Sequence, residues 1–83
     1  MNFDIKSKLQ KLEGETFYTV TGKEFIYKFI SENTIKVSRT NYPIHLSNFE
    51  KAIEINPTKP GQIRNLVRGS SYIFGIITDD RFN

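Results

Sequence analysis

Apolar residues in this chain recur first at helical spacing, then in alternation, then at helical spacing again. From Phe3 to Leu12 the apolar positions are Phe3, Ile5, Leu9 and Leu12, with lysines between them. That pattern predicts a short amphipathic helix, ended by Gly14. The period then shortens. Thr16 to Val20 and Glu24 to Ile30 are rich in β-branched and aromatic residues, with Thr21-Gly22-Lys23 between them. Ser31-Glu32-Asn33 forms a second turn, because Asn tolerates a left-handed backbone. Thr34 to Arg39 follows, with Ile35 and Val37 alternating against Lys36 and Ser38. The three segments predict an antiparallel β-meander.

Beyond the meander, Thr40 to Leu46 reads as irregular, punctuated by Asn41 and Pro43. Ser47 and Glu50 have capping-box spacing, in which each side chain satisfies an otherwise orphaned backbone N–H. Phe49, Ala52 and Ile53 make one face of the helix that follows, and Asn56-Pro57 stops it. Pro60 suits the first position of another helix, with a stripe of Ile63, Leu66 and Val67, and Gly69 closing it. The tail is ambiguous: Tyr72, Phe74 and Ile76 alternate like a strand, whereas Ile73, Ile76 and Ile77 recur like a helix. Ser70 and Ser71, both suited to N-capping, tip the reading toward helix. The expected fold is α+β: an N-terminal helix, a three-stranded antiparallel meander, then two or three short helices packed on the sheet. A strand from the tail would instead cover a sheet edge.

Residues 1–83 have the length of a single small domain. Such a chain buries about 60–65% of the surface its unfolded form exposes, so its core is small. A hydrophobic share of 37% is still too rich for a disordered segment. The absence of cysteine removes disulfides, thiolate metal sites and a cysteine nucleophile. MNFDIKSKLQKLEGE carries no long apolar stretch after its charges and is not expected to be a signal peptide. With no apolar run of membrane-spanning length, a soluble, cytoplasmic protein without membrane contact is expected. The weight of Ile, Asn and Lys fits an AT-rich bacterial, phage or mobile-element genome.

Charge changes the picture through its placement. The net +3 equals the contribution of Lys59, Arg64 and Arg68, which lie in a stretch, 59–69, free of acids. On a helix, Ile63, Leu66 and Val67 would face one way, and Arg64, Asn65 and Arg68 the other. Arg and Asn read base edges bidentately, and the preceding helix would complete a helix–turn–helix outline. Two arginines are also an ordinary wet side for a structural helix, and Arg68 near a helix C-terminus complements the dipole.

Two further groups carry candidate chemistry. Phe25, Tyr27 and Phe29 share one strand face near Lys23 and Lys28, as in base-stacking sheets. The same face is the natural core face, with the Tyr27 hydroxyl expected at a wet rim. Arg39, Asn41, Tyr42 and His45 gather in the irregular segment, either as a binding loop or as a crossover with Tyr42 and Pro43 covering the core. His45, the lone histidine, has no partners at metal-ligand spacing, and no nucleotide-loop, nucleophile-elbow or kinase motif occurs. No catalytic residue, metal or cofactor is therefore expected.

Two functions fit. The first is a small non-enzymatic nucleic-acid-binding accessory or regulator, gripping phosphates through Lys59, Arg64, Asn65 and Arg68, with help from Arg39 and Lys36. The second is a protein-interaction module, such as a phage or mobile-element factor docking on a host protein. Its contacts would be Tyr42, Tyr72, Phe74 or an open sheet edge.

Overall fold

The structure, a computed structural model, describes residues 5–82. Within them the chain forms an α+β fold of three α-helices and two antiparallel sheets. Helix α1 spans Ile5–Lys11 and buries Leu9, with Ile5 and Leu12 packed beside it. Phe3, predicted on the same face, lies outside the described residues. Gly14 closes the segment at φ +85°, a left-handed conformation that only glycine adopts freely.

Strands β1, Phe17–Tyr18, and β2, Glu24–Phe25, pair across a tight loop in which Gly22 takes φ +87°. The predicted second strand does not run on unbroken to Ile30. It is interrupted at Ile26, and the chain passes into a second sheet of β3 (Tyr27–Ser31), β4 (Thr34–Val37) and β5 (Pro43–His45), in that order. The cause of the break is Ser38. Its hydroxyl accepts the Ile26 N–H at 3.1 Å, while its own N–H donates to the Ile26 carbonyl at 2.8 Å. Arg39 Nε donates to the Glu24 carbonyl at 2.6 Å and secures the same junction.

Strand β5 replaces what the sequence presents as an irregular crossover. It has three residues and buries Ile44 alone. Pro43 is tolerated because β5 is an edge strand, where a missing N–H need leave no ladder bond unmade. The opposite edge, β3, is covered by the end of α1: Gly14 N–H donates to the Tyr27 carbonyl, and Phe29 N–H to the Glu13 carboxylate at 2.8 Å. That edge therefore has no need of a strand from the tail, which is helix α3, Ser70–Ile77.

Helix α2 spans Leu46–Ile55, so Ser47 lies inside it and the predicted capping box does not form. His45 is the cap instead, its Nδ1 accepting the Ser47 N–H at 3.1 Å. Asn56 stops the helix as predicted, taking φ +55° and donating to the Ala52 and Ile53 carbonyls. Asn33 does not take the left-handed conformation expected of it; Asn56 is the non-glycine residue that does so among the described residues. Nor do Ser70 and Ser71 cap α3, which starts from Gly69 at φ +73° without a side-chain cap. Helix α3 packs on α2 and closely on β1: a Cβ at Gly75 would come within 2.5 Å of the Tyr18 carbonyl oxygen.

One apolar cluster joins both sheets to all three helices, including Phe17, Phe25, Ile35, Ile44, Phe49, Ile73 and Phe82. Tyr27 sits at its centre with no exposed surface, and its ring centroid lies 5.8 Å from that of Phe17. Its hydroxyl, expected at a wet rim, is instead buried and donates to the Leu9 carbonyl at 2.6 Å. Leu9 is in the last turn of α1, where carbonyls lack intrahelical partners. Tyr27 thus caps α1 from the sheet.

Tyr27→Phe leaves that buried carbonyl without its donor. We expect the unfolding free energy, measured by urea titration, to fall by about 1–3 kcal/mol. Burial, and secondarily the Glu13 carboxylate, push the Tyr27 phenol above its ordinary value of 10.0. A pKa raised by folding gives stability that is full below the unfolded value and is lost as pH rises toward the folded one. Thermal melts of the native protein should therefore lose stability above about pH 10, and that loss should be smaller in Tyr27→Phe.

Candidate nucleic-acid interface

The basic stretch 59–69 is not an α-helix. A single 3-10 turn, Pro60–Gln62, is followed by linked turns to Gly69. Several of its bonds reach back three residues: Gln62 N–H to Lys59, Arg64 to Gly61 and Leu66 to Ile63. The Gln62 side chain also bonds locally, accepting the Thr58 N–H at 2.6 Å. Gly61 and Asn65 weaken helical propensity, and burying Ile63 and Val67 needs only one turn. Leu66, expected in the apolar stripe, is 54% exposed. The helix–turn–helix outline is therefore not formed, and Arg64 and Asn65 stand exposed on an irregular segment rather than on a reading helix.

Arg68 is exposed too, but it is placed. Its Cζ lies 4.3 Å over the ring of half-buried Tyr42, which brings together a residue from each functional reading. The other two residues expected at a protein contact turn inward. Phe74 is buried in the core, and Tyr72 packs edge-on against Phe25 at 5.1 Å between centroids. Lys59 is exposed at the start of the basic segment.

Lys36 belongs to a separate arrangement on the solvent face of the second sheet, and Arg39 lies beyond the end of β4, reaching back to Glu24. Tyr27, Ile35, Val37 and Ile44 point into the core, so Lys28, Ile30, Lys36, Pro43 and His45 point out. Register sets Lys28 directly opposite Lys36, and Lys36 opposite Pro43. Lys28 is the residue that sequence reasoning missed as a partner. A shallow depression of about 180 Å³ lies along this pair, lined also by Ile26 and Ser38. Ile26 and Ser38 also line a cleft of about 400 Å³ that holds Arg39, with Thr16, Glu24 and Phe25. The depression at Lys28 and Lys36, the trough, and the cleft at Arg39 are separate hollows with Ile26 and Ser38 as shared walls. Among the described residues, none of these three cations, nor Arg64 or Arg68, forms an ion pair with a carboxylate.

Arg81 behaves in the opposite way. Its guanidinium grips Asp79 through Nε at 3.0 Å and Nη2 at 3.1 Å, donates to the Thr16 carbonyl at 2.6 Å and lies over Phe17. These contacts fasten the tail to β1, and the guanidinium hydrogen bond lowers the Asp79 pKa. Arg81 is thus occupied structurally, whereas the trough cations have no carboxylate partner. Among the described residues, no three His, Asp or Glu side chains cluster as a metal site would require. None of their helices is long and apolar enough to cross a membrane. No family model, curated protein or solved structure matches the chain.

Like charges directly opposite across an antiparallel pair are destabilising. Lys36→Glu places a carboxylate opposite Lys28. We expect it to raise the unfolding free energy by about 0.2–1 kcal/mol, read as a higher midpoint in thermal melts at low salt.

Proposed function

We propose that this protein is a non-enzymatic nucleic-acid-binding module that holds a phosphodiester backbone along the trough of Lys28 and Lys36, with Arg39 in the neighbouring cleft. The observation that carries the reading is the facing pair Lys28 and Lys36, exposed and with no carboxylate partner among the described residues. Such a pair is unfavourable in the free protein and becomes favourable once a phosphate lies between the two ammonium groups. Arg39 adds a third cation in the neighbouring cleft, although its Nε is committed to the Glu24 carbonyl. Lysine contacts of this kind neutralise phosphates and carry little base preference, so the proposed role is that of an accessory or regulator rather than a sequence reader.

Binding should be measured by fluorescence anisotropy with short labelled DNA and RNA, single- and double-stranded, across a salt series. We expect affinity to fall steeply with salt, and Lys28→Ala/Lys36→Ala to flatten the salt slope by about one unit per lysine. Lys36→Glu should weaken binding even though it stabilises the fold. Retention of wild-type affinity and slope by the double variant would sink the proposal. An absence of binding at low salt would move attention to a protein partner, for which exposed Ile30 on the same face offers an apolar contact.

A further inference from the structure

The cleft beside the lysine trough holds two opposite charges that do not meet. Glu24 and Arg39 both line it, with Thr16, Phe25, Ile26 and Ser38. Both are exposed, and among the described residues neither is part of an ion pair. Arg39 is held nonetheless. Its Nε donates to the Glu24 main-chain carbonyl at 2.6 Å, and its two Nη groups have no hydrogen-bond partner among the described residues.

Cleft and trough open on one face. The rings of Phe25 and Tyr27 both lie against Phe17, at 6.1 and 5.8 Å between centroids, so the in-and-out alternation stays in phase across Ile26. Glu24, Ile26 and Lys28 therefore share the outward side, and Ile26 and Ser38 wall both hollows. Glu24 stands four residues before Lys28, about 13 Å along the chain at about 3.3 Å per residue. That is the span of about four nucleotides at about 3.4 Å each, so one strand reaches from trough to cleft.

The lining discriminates among bases. At about 400 Å³ the cleft falls within the range of small-ligand sites, roughly 300–1,000 Å³. A guanidinium pairs bidentately with O6 and N7 of guanine, and a carboxylate accepts from its N1–H and 2-amino group. Adenine puts an amino group where the guanidinium needs an acceptor. Cytosine has no N7 for the guanidinium, and thymine has no amino group for the carboxylate.

We infer that the cleft receives an unpaired guanine of a single strand held in the trough, with Arg39 on its O6 and N7 and Glu24 on its N1–H and 2-amino group. In a duplex those N–H groups are engaged by cytosine, so the ligand is single-stranded. The inference rests on the reading of the Lys28–Lys36 trough as a phosphate grip. It adds one base-specific contact to lysines that are themselves indifferent to sequence.

The test uses short thymidine oligonucleotides carrying guanine, hypoxanthine, adenine, cytosine or thymine at one central position. Each would be titrated by fluorescence anisotropy against the wild-type protein and Glu24→Gln, with folding checked by circular dichroism. Glu24→Gln keeps the main-chain carbonyl that holds Arg39. The guanine strand should bind the wild type about tenfold tighter than the adenine, cytosine and thymine strands, with hypoxanthine, which lacks the 2-amino group, in between. In Glu24→Gln that advantage should fall below about twofold, while the all-thymine strand binds no worse because a negative charge has gone. The same guanine paired in a duplex should confer no advantage. Equal affinity of the wild type for all strands, lost in Lys28→Ala/Lys36→Ala, would overturn the guanine site and leave the phosphate grip standing. A guanine preference that survives Glu24→Gln would also overturn the site. Displacement of the guanine strand by an equal concentration of guanosine monophosphate would overturn the strand as its ligand. Failure to bind any strand would overturn both readings.

Discussion

The hydrogen bond from the Tyr27 hydroxyl to the Leu9 carbonyl is the constraint on which the rest of the molecule turns. It satisfies two polar groups in the same stroke, a buried phenol and a carbonyl in the last turn of α1. Around it the sheet and the N-terminal helix are locked in one orientation. The residues just after α1 then fall along the β3 edge, where Glu13 and Gly14 occupy its hydrogen-bonding groups. Blocking that edge closes one of the sheet's two edges to a further strand, the other being β5.

Much of this fold is legible along the chain. The apolar set that proves buried, including Leu9, Phe17, Phe25, Ile35, Val37, Phe49 and Ala52, follows the predicted periods. The stops at Gly14 and Asn56 act as their chemistry dictates. Illegible elements fail for local reasons. The break at Ile26 depends on Ser38, twelve residues away, whose hydroxyl stands in for a ladder partner. The cap of α2 comes from His45, whose Nδ1 accepts the Ser47 N–H, so the helix starts before the position at which a Ser47 hydroxyl would have taken the Glu50 N–H. The stretch 60–69 carries a helical apolar pattern, but bonds back three residues and one short buried pair are enough to hold it without a helix.

The candidate site was harder to read than the fold, and register is the reason. A two-residue turn at Glu32-Asn33 with Ser31 opposite Thr34 would, in an unbroken ladder, set Lys36 opposite Phe29. That pairing puts an inward residue against an outward one. The irregularity between Phe29 and Ser31 shifts the pairing by one residue, restoring Phe29 to Ile35 and Tyr27 to Val37. The same shift brings Lys28 opposite Lys36. The lysine pair is thus a consequence of core matching on the other face, and its repulsion is tolerated because the buried pairs set the register. Nothing in the local sequence around either lysine announces the other.

That origin bears on how the charges are best understood. Core packing explains why position 28 faces position 36, but not why both are lysine, since a Glu or Thr at either would remove the repulsion at no cost to the core. Elsewhere on the molecule the opposite arrangement is found: Arg81 is matched to Asp79 and Glu15, and Lys6 to Glu32. Charges are therefore paired where they fasten the tail to β1, whereas the trough lysines and Arg68, like other exposed cations such as Lys51 and Lys59, have no carboxylate partner among the described residues. An arrangement of that kind is electrostatically incomplete in the free protein. Under the proposed function, a bound phosphate backbone would complete it at Lys28 and Lys36.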